Sequence, residues 1–88
     1  MTYQAQVEIK DPIGLHARPA ASIAKFVKAA NLDVRIGHGE SMLVSANSPL
    51  LLMTLKAGFG SKLNVVVEGL EDSAAAEVVA QIQEFLGG

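Results

Sequence analysis

Cysteine and tryptophan are absent from this chain. Without cysteine there are no disulfides, no thiolate nucleophile and no Cys-ligated zinc. Aromatics are scarce, with three Phe and one Tyr, so a core has to be built from Leu, Val, Ile, Ala and Met. Charge is sparse as well, at 18% of residues with a net charge of −2. The basic residues are scattered, and with no basic stripe interleaved with aromatics, nucleic acid is not an expected partner. The two histidines, His16 and His38, stand too far apart for a local metal-ligand spacing, so neither a metal nor a cofactor is expected. No segment approaches the roughly 18 consecutive apolar residues of a membrane span. The N-terminus alternates polar and apolar residues instead of carrying the apolar run of a signal peptide. A cytoplasmic protein without membrane insertion is the expectation.

What is present is a chain of 88 residues, half of them hydrophobic, which favours a compact core over disorder. That length suits one domain, 1–88, burying about 60% of its unfolded surface. No repeat, linker or low-complexity segment interrupts it.

Periodicity gives the elements. Tyr3, Ala5, Val7 and Ile9 alternate with Gln4, Gln6, Glu8 and Lys10, the pattern of a half-buried strand. Asp11-Pro12-Ile13-Gly14 breaks it with turn chemistry. From Ala17 the period becomes helical, with Ala20, Ile23, Ala24, Val27 and Ala30 on one face and Asn31 placed to stop the helix. Leu32, Val34 and Ile36 mark a second strand, Gly37-His38-Gly39 a tight turn, and Met42 with Val44 a short third strand. Ser48-Pro49 reads as an N-cap and first-turn pair opening a short apolar helix that Gly58 and Gly60 end. Leu63, Val65 and Val67 give a fourth strand, with Val66 an apolar exception on its polar face. Asp72 caps a last helix whose apolar face carries Val78, Val79, Ile82, Phe85 and Leu86, with Gly87 beyond its end.

The order is β-α-β-β-α-β-α. Each strand has a polar face, which predicts an antiparallel sheet with helices on one side and solvent on the other, an α+β fold. A ferredoxin-like arrangement shares the first six elements, and periodicity alone does not separate the two.

The stretch Gly14-Leu15-His16-Ala17-Arg18-Pro19-Ala20 carries the chemistry. Pro19 fits the first turn of a helix, where its missing N–H costs nothing. His16, Ala17 and Arg18 then stand at a helix N-terminus, among N–H groups with no intrahelical partner. Such an end attracts anions, and a guanidinium two residues from the histidine supplies a planar donor fork suited to phosphate. The positive helix end disfavours imidazolium, which leaves a ring lone pair free for nucleophilic attack. The arrangement points to a histidine that accepts and passes on a phosphoryl group, with Arg18 stabilising phosphate and Ala17 acting through its backbone N–H. The bland alternatives are a packing histidine and a solvated arginine.

Those seven residues resemble the active-site signature of the HPr family, the phosphocarriers of the bacterial phosphoenolpyruvate:sugar phosphotransferase system. Chain length, element order and the segment Ala46-Asn47-Ser48-Pro49-Leu50-Leu51-Leu52-Met53 resemble that family as well. The resemblance implies an open-faced two-layer sandwich with strand order 1-4-2-3 and three helices on one face. It implies that His16 is phosphorylated on Nδ1 by enzyme I and delivers phosphate to EIIA domains for sugar uptake. Such a protein is a reaction participant and not a stand-alone enzyme, and a monomer is expected. It also implies that the helix after Ser48 presents Pro49, Leu50 and Met53 to docking partners, the apolar run being richer than one buried face requires. In many Gram-positive members the serine matching Ser48 is a regulatory phosphosite of an HPr kinase/phosphorylase. Here Asn47, Pro49 and Leu51 stand where that pattern has lysine, isoleucine and glycine, and an N-cap role already accounts for the serine. His38, in a glycine turn, reads as an exposed loop histidine. The alternatives are a nitrogen-related or dihydroxyacetone-related HPr paralogue, the first favoured by Ala46-Asn47-Ser48, and a ferredoxin-like module that binds a small molecule and needs no nucleophilic histidine.

Overall fold

The computed structural model describes residues 1–88. Its elements are β1 (Thr2–Glu8), α1 (Ala17–Ala29), β2 (Asp33–His38), β3 (Val44–Ser45), α2 (Pro49–Met53), β4 (Lys62–Glu68) and α3 (Asp72–Phe85). The four strands form one antiparallel sheet in the order β1-β4-β2-β3, with Tyr3 opposite Val67 and Ile36 opposite Val65. This is the expected open-faced sandwich.

Alternation decides which side of the sheet is dry. Val7, Val34, Ile36, Leu63, Val65 and Val67 are buried against Ile23 and Val27 of α1 and Val78 and Ile82 of α3 in one continuous core. Each such fully buried side chain contributes about 1.5–3 kcal/mol over leaving it in water. On the other face Gln6 donates to Asn64 at 3.1 Å and Arg35 pairs with Glu68 at 3.0 Å. Val66 lies on this face, half-buried, as its place in the alternation requires.

Helix α1 buries Pro19, Ala20, Ile23, Ala24 and Val27. Its end is a Schellman motif: Asn31 takes the left-handed conformation (φ 52°), its N–H donates to Lys28, and the Leu32 N–H donates to Val27. Ala30 was expected on the buried face but is exposed, because it is already the C-cap and lies past the last turn that the sheet covers.

Four further expectations are corrected. Gly37 and His38 are not a turn: β2 runs through both, and the chain reverses at Gly39-Glu40. Gly37 is closely packed: a Cβ there would lie 2.9 Å from a terminal methyl of Leu43 and 3.3 Å from the Ser41 carbonyl oxygen. Met42 lies outside the third strand and is exposed, leaving a β3 of two residues. Helix α2 ends at Met53, well before Gly58; Lys56 takes the left-handed turn (φ 51°), and the following Ala57 is buried. Glu71, not Asp72, is the N-cap of α3, and Asp72 is its first residue, where its charge complements the helix dipole.

Ser48 caps α2 as its position before Pro49 predicts: its Oγ accepts the Leu51 N–H at 3.2 Å. The variant Ser48→Ala leaves that N–H without its side-chain partner. A loss of about 0.5–2 kcal/mol is expected in chemical or thermal denaturation.

Candidate functional site

His16 is the N-cap of α1, in extended conformation (φ −103°, ψ −170°). Three features hold it there. The Leu15 N–H donates to Ala57, Leu15 is buried in the core, and the His16 carbonyl accepts the Ala20 N–H at 3.1 Å. The approach through Gly14 requires glycine. Its φ is +94°, and a Cβ would sit 3.0 Å from both the Ala57 oxygen and the Gly58 Cα. The loop after α2 therefore braces the loop before α1.

The N–H groups of Ala17 and Arg18 begin α1 and have no backbone carbonyl partner, while Pro19 has no N–H to leave unpaired. Both residues are exposed, and the Arg18 guanidinium is free of any ion pair, the two pairs in the structure being His16–Asp11 and Arg35–Glu68. A ring nitrogen, two backbone donors and an unpaired guanidinium thus belong to three consecutive residues at one helix end. That set of groups suits a dianionic phosphoryl group.

Asp11 is the site residue that motif reading missed. Its Oδ1 accepts the Ile13 N–H at 2.9 Å in an Asx turn, and its Oδ2 lies 3.3 Å from His16 Nε2. The two side chains are 29% and 31% exposed, in the order Asp11, His16, so the pair is partly shielded from water. Backbone bonds from Lys10 and Asp11 to the Leu86 carbonyl fix the start of the turn. The Ile13 N–H and then the His16 side chain hold the Asp11 carboxyl below its ordinary 3.8, and burial opposes them; the charges of His16 and Arg18 also lower it. Because the folded pKa is depressed, the stabilisation Asp11 supplies is present above its ordinary value and is lost as pH falls through the depressed one. The signal in the sequence was an aspartate opening a turn five residues before the histidine, which reads as turn chemistry alone.

The apolar run of α2 divides by helical geometry. Leu52 is fully buried, Leu50 is 74% exposed, Leu51 is partly exposed, and Pro49 and Met53 are half-buried. Pro49 lines a surface groove with Ala21, Ala24, Lys25 and Lys28 of α1. Ile13 and Phe59, exposed on the two loops that meet at Gly14 and Gly58, add apolar surface that periodicity did not single out.

His38 is remote from these groups in the sequence and corrects the expectation of an exposed loop histidine. It is half-buried at the end of β2, with Nδ1 3.3 Å from the Leu55 carbonyl, to which the ring donates. No cluster of three or more His, Cys, Asp or Glu side chains is placed to hold a metal ion, and no helix is long and apolar enough to cross a membrane.

Comparison with known proteins places these features in a family. The family model described as the PTS HPr component phosphorylation site matches residues 3–87. The phosphocarrier protein NPr of Escherichia coli (strain K12) is 32% identical over 81 residues, covering 91% of this chain and 90% of that protein. The phosphocarrier protein HPr of Vibrio cholerae is 35% identical over 85 residues, covering 96% of this chain and 98% of that protein. Among solved structures, HPr from Bacillus anthracis superposes with a TM-score of 0.80 at 27% identity, covering 96% of this chain and 95% of that one.

Proposed function

The chain belongs to the HPr family of phosphocarrier proteins, and from that membership we propose that His16 accepts a phosphoryl group from phosphorylated enzyme I in the cytoplasm and passes it to EIIA domains of sugar permeases. The observation that carries this reading is the position of His16 as N-cap of α1, with the Ala17 and Arg18 N–H groups unpaired beside it.

In the forward step a ring lone pair of His16 forms a bond to phosphorus. The bond from phosphorus to the donor breaks, and its electron pair stays with the donor. The helix end stabilises the added negative charge by about 0.3–2 kcal/mol, enough to orient the phosphate and little enough to let it leave. Arg18 adds a charge-assisted fork. Arg18→Ala removes a contact of about 1.5–3 kcal/mol, so phosphoryl transfer is expected to slow by about one to two orders of magnitude. Rapid-quench kinetics with donor and acceptor check this, and unchanged rates would make Arg18 a surface charge.

Docking is apolar at its centre in this reading, formed by Pro49, Leu50 and Met53, with Ile13 and Phe59 as further exposed apolar side chains. Ser48 is first a cap. Were an HPr kinase/phosphorylase to modify it, the phosphate would be tolerated at the start of α2 but would set charge beside Leu50 and Leu51. That effect would be felt in partner binding and not in folding.

A second reading has specific support. The similarity to NPr, together with Ala46-Asn47-Ser48, favours a nitrogen-related paralogue with a regulatory role. Incubation with phosphoenolpyruvate and each of the paired enzyme I proteins tests both. Faster labelling by the sugar-system enzyme I supports the sugar carrier, and faster labelling by its nitrogen-related counterpart supports the paralogue. No labelling by either rejects both.

A further inference from the structure

We propose that Asp11 is a positioning residue for phosphoryl transfer: its carboxylate holds the proton of His16 on Nε2, fixes the ring, and leaves Nδ1 as the nucleophile. The inference rests on the phosphocarrier reading of His16 and adds a residue to it.

The geometry is asymmetric in a way that selects one nitrogen. Asp11 Oδ1 is occupied by the Ile13 N–H, and Oδ2 faces Nε2 at 3.3 Å. An ionised carboxylate only accepts hydrogen bonds, so the nitrogen facing it must carry the proton. Lowering of the Asp11 carboxyl by the Ile13 N–H and the His16 side chain keeps it in that acceptor form near neutral pH. A neutral imidazole has one N–H, so Nδ1 retains its lone pair. The mount is stiff, because the Asx turn and the bonds to Leu86 hold the aspartate while Gly14 and Leu15 hold the histidine.

The same contact acts on the charge that develops in the reaction. As Nδ1 bonds to phosphorus, the donor leaves with its electron pair. Nε2 keeps its proton, and the ring acquires positive charge. A carboxylate on Nε2 stabilises that charge, as an aspartate does for the imidazolium of a catalytic triad. Arg18 and the first N–H groups of α1 act on the phosphoryl oxygens at the opposite end of the dipole. The charged group acting on the Asp11–His16 pair from outside it is Arg18 of α1.

Asp11→Asn tests this without disturbing the turn. Asn Oδ1 can still accept the Ile13 N–H, but an NH2 group then faces Nε2 where a carboxylate stood. Nitrogen-15 shifts of the His16 ring in the unphosphorylated protein read the tautomer directly and need no partner. Wild type is expected to be mainly the Nε2–H tautomer, and Asp11→Asn to shift toward Nδ1–H. Transfer from a phosphorylated donor is expected to slow by about 10- to 100-fold, with donor affinity little changed. Asp11→Ala, which offers no group to Nε2, is expected to give a mixed tautomer population and an intermediate loss. An unchanged tautomer in both variants, or a wild type in the Nδ1–H form, would overturn the role of Asp11. Failure of wild type to take up phosphate would instead reject the phosphocarrier reading, while the tautomer measurement would still decide whether Asp11 controls the ring.

Discussion

Replacing His16 with alanine is expected to abolish phosphate uptake completely while leaving the fold in place. The side chain is about one-third exposed and makes a single hydrogen bond, to Asp11. Water screens a pair this exposed, so the denaturation midpoint of His16→Ala should stay close to that of wild type. The backbone that sets the site survives the change, because the N-cap carbonyl, Gly14 and the Leu15–Ala57 bond do not use the imidazole. Loss of labelling in a folded protein therefore isolates the nucleophile. His38→Ala serves as the control: its ring is tied to the Leu55 carbonyl at the end of β2 and should leave labelling intact. Labelling that persists in His16→Ala and vanishes in His38→Ala would move the chemistry to the other histidine.

The second large effect separates neighbours on α2. Leu52 has no exposed surface and packs in the core with Ile36, Val27 and Leu55. Truncation to alanine is expected to cost about 2–5 kcal/mol, a large share of the stability of a domain this size. Leu50, two positions earlier, is 74% exposed and has little to lose in the folded state. Leu50→Asp should leave stability within about 0.5 kcal/mol while placing a desolvated charge in the proposed docking surface. Binding to enzyme I, followed by calorimetry, should weaken by tenfold or more, about 1.4 kcal/mol. Thermal melts and affinities measured on the two variants should thus move in opposite columns. A Leu50→Asp protein that melts early would put Leu50 in the core, and one that binds normally would place docking elsewhere.

Much of this architecture was legible because the apolar periods are clean. Tyr3-Ala5-Val7 alternate strictly, Leu63-Val65-Val67 do so with Val66 the one apolar exception, and Ala20-Ile23-Ala24-Val27 repeats at helical spacing, so element type followed from which residues had to share a dry face. Ends were less legible where a glycine had two meanings. Gly37 suits a turn, but here it admits the Leu43 side chain against a strand, a tertiary contact that no local rule contains. Gly58 suits a helix stop, yet the helix ends at Met53 and the chain then turns through a left-handed Lys56. Strand order followed from the family resemblance, since the polar and apolar faces alone fit two topologies.

The site was legible in part for the same reason. His16, Ala17 and Arg18 are adjacent in the chain, and a helix start converts adjacency into convergence. Asp11 reaches the ring through a turn whose shape depends on Gly14 wedged against Ala57 and Gly58, more than forty positions away. The split of α2 into buried Leu52 and exposed Leu50 likewise depends on which way the helix faces α1.

The measurement closest to the centre of this reading is phosphorus-31 and nitrogen-15 NMR of the protein after incubation with phosphoenolpyruvate and enzyme I. The expected result is one acid-labile phosphate on His16, bonded at Nδ1, that disappears when an EIIA acceptor is added. An acid-stable phosphate, a phosphate on His38, or one that no acceptor removes would contradict it.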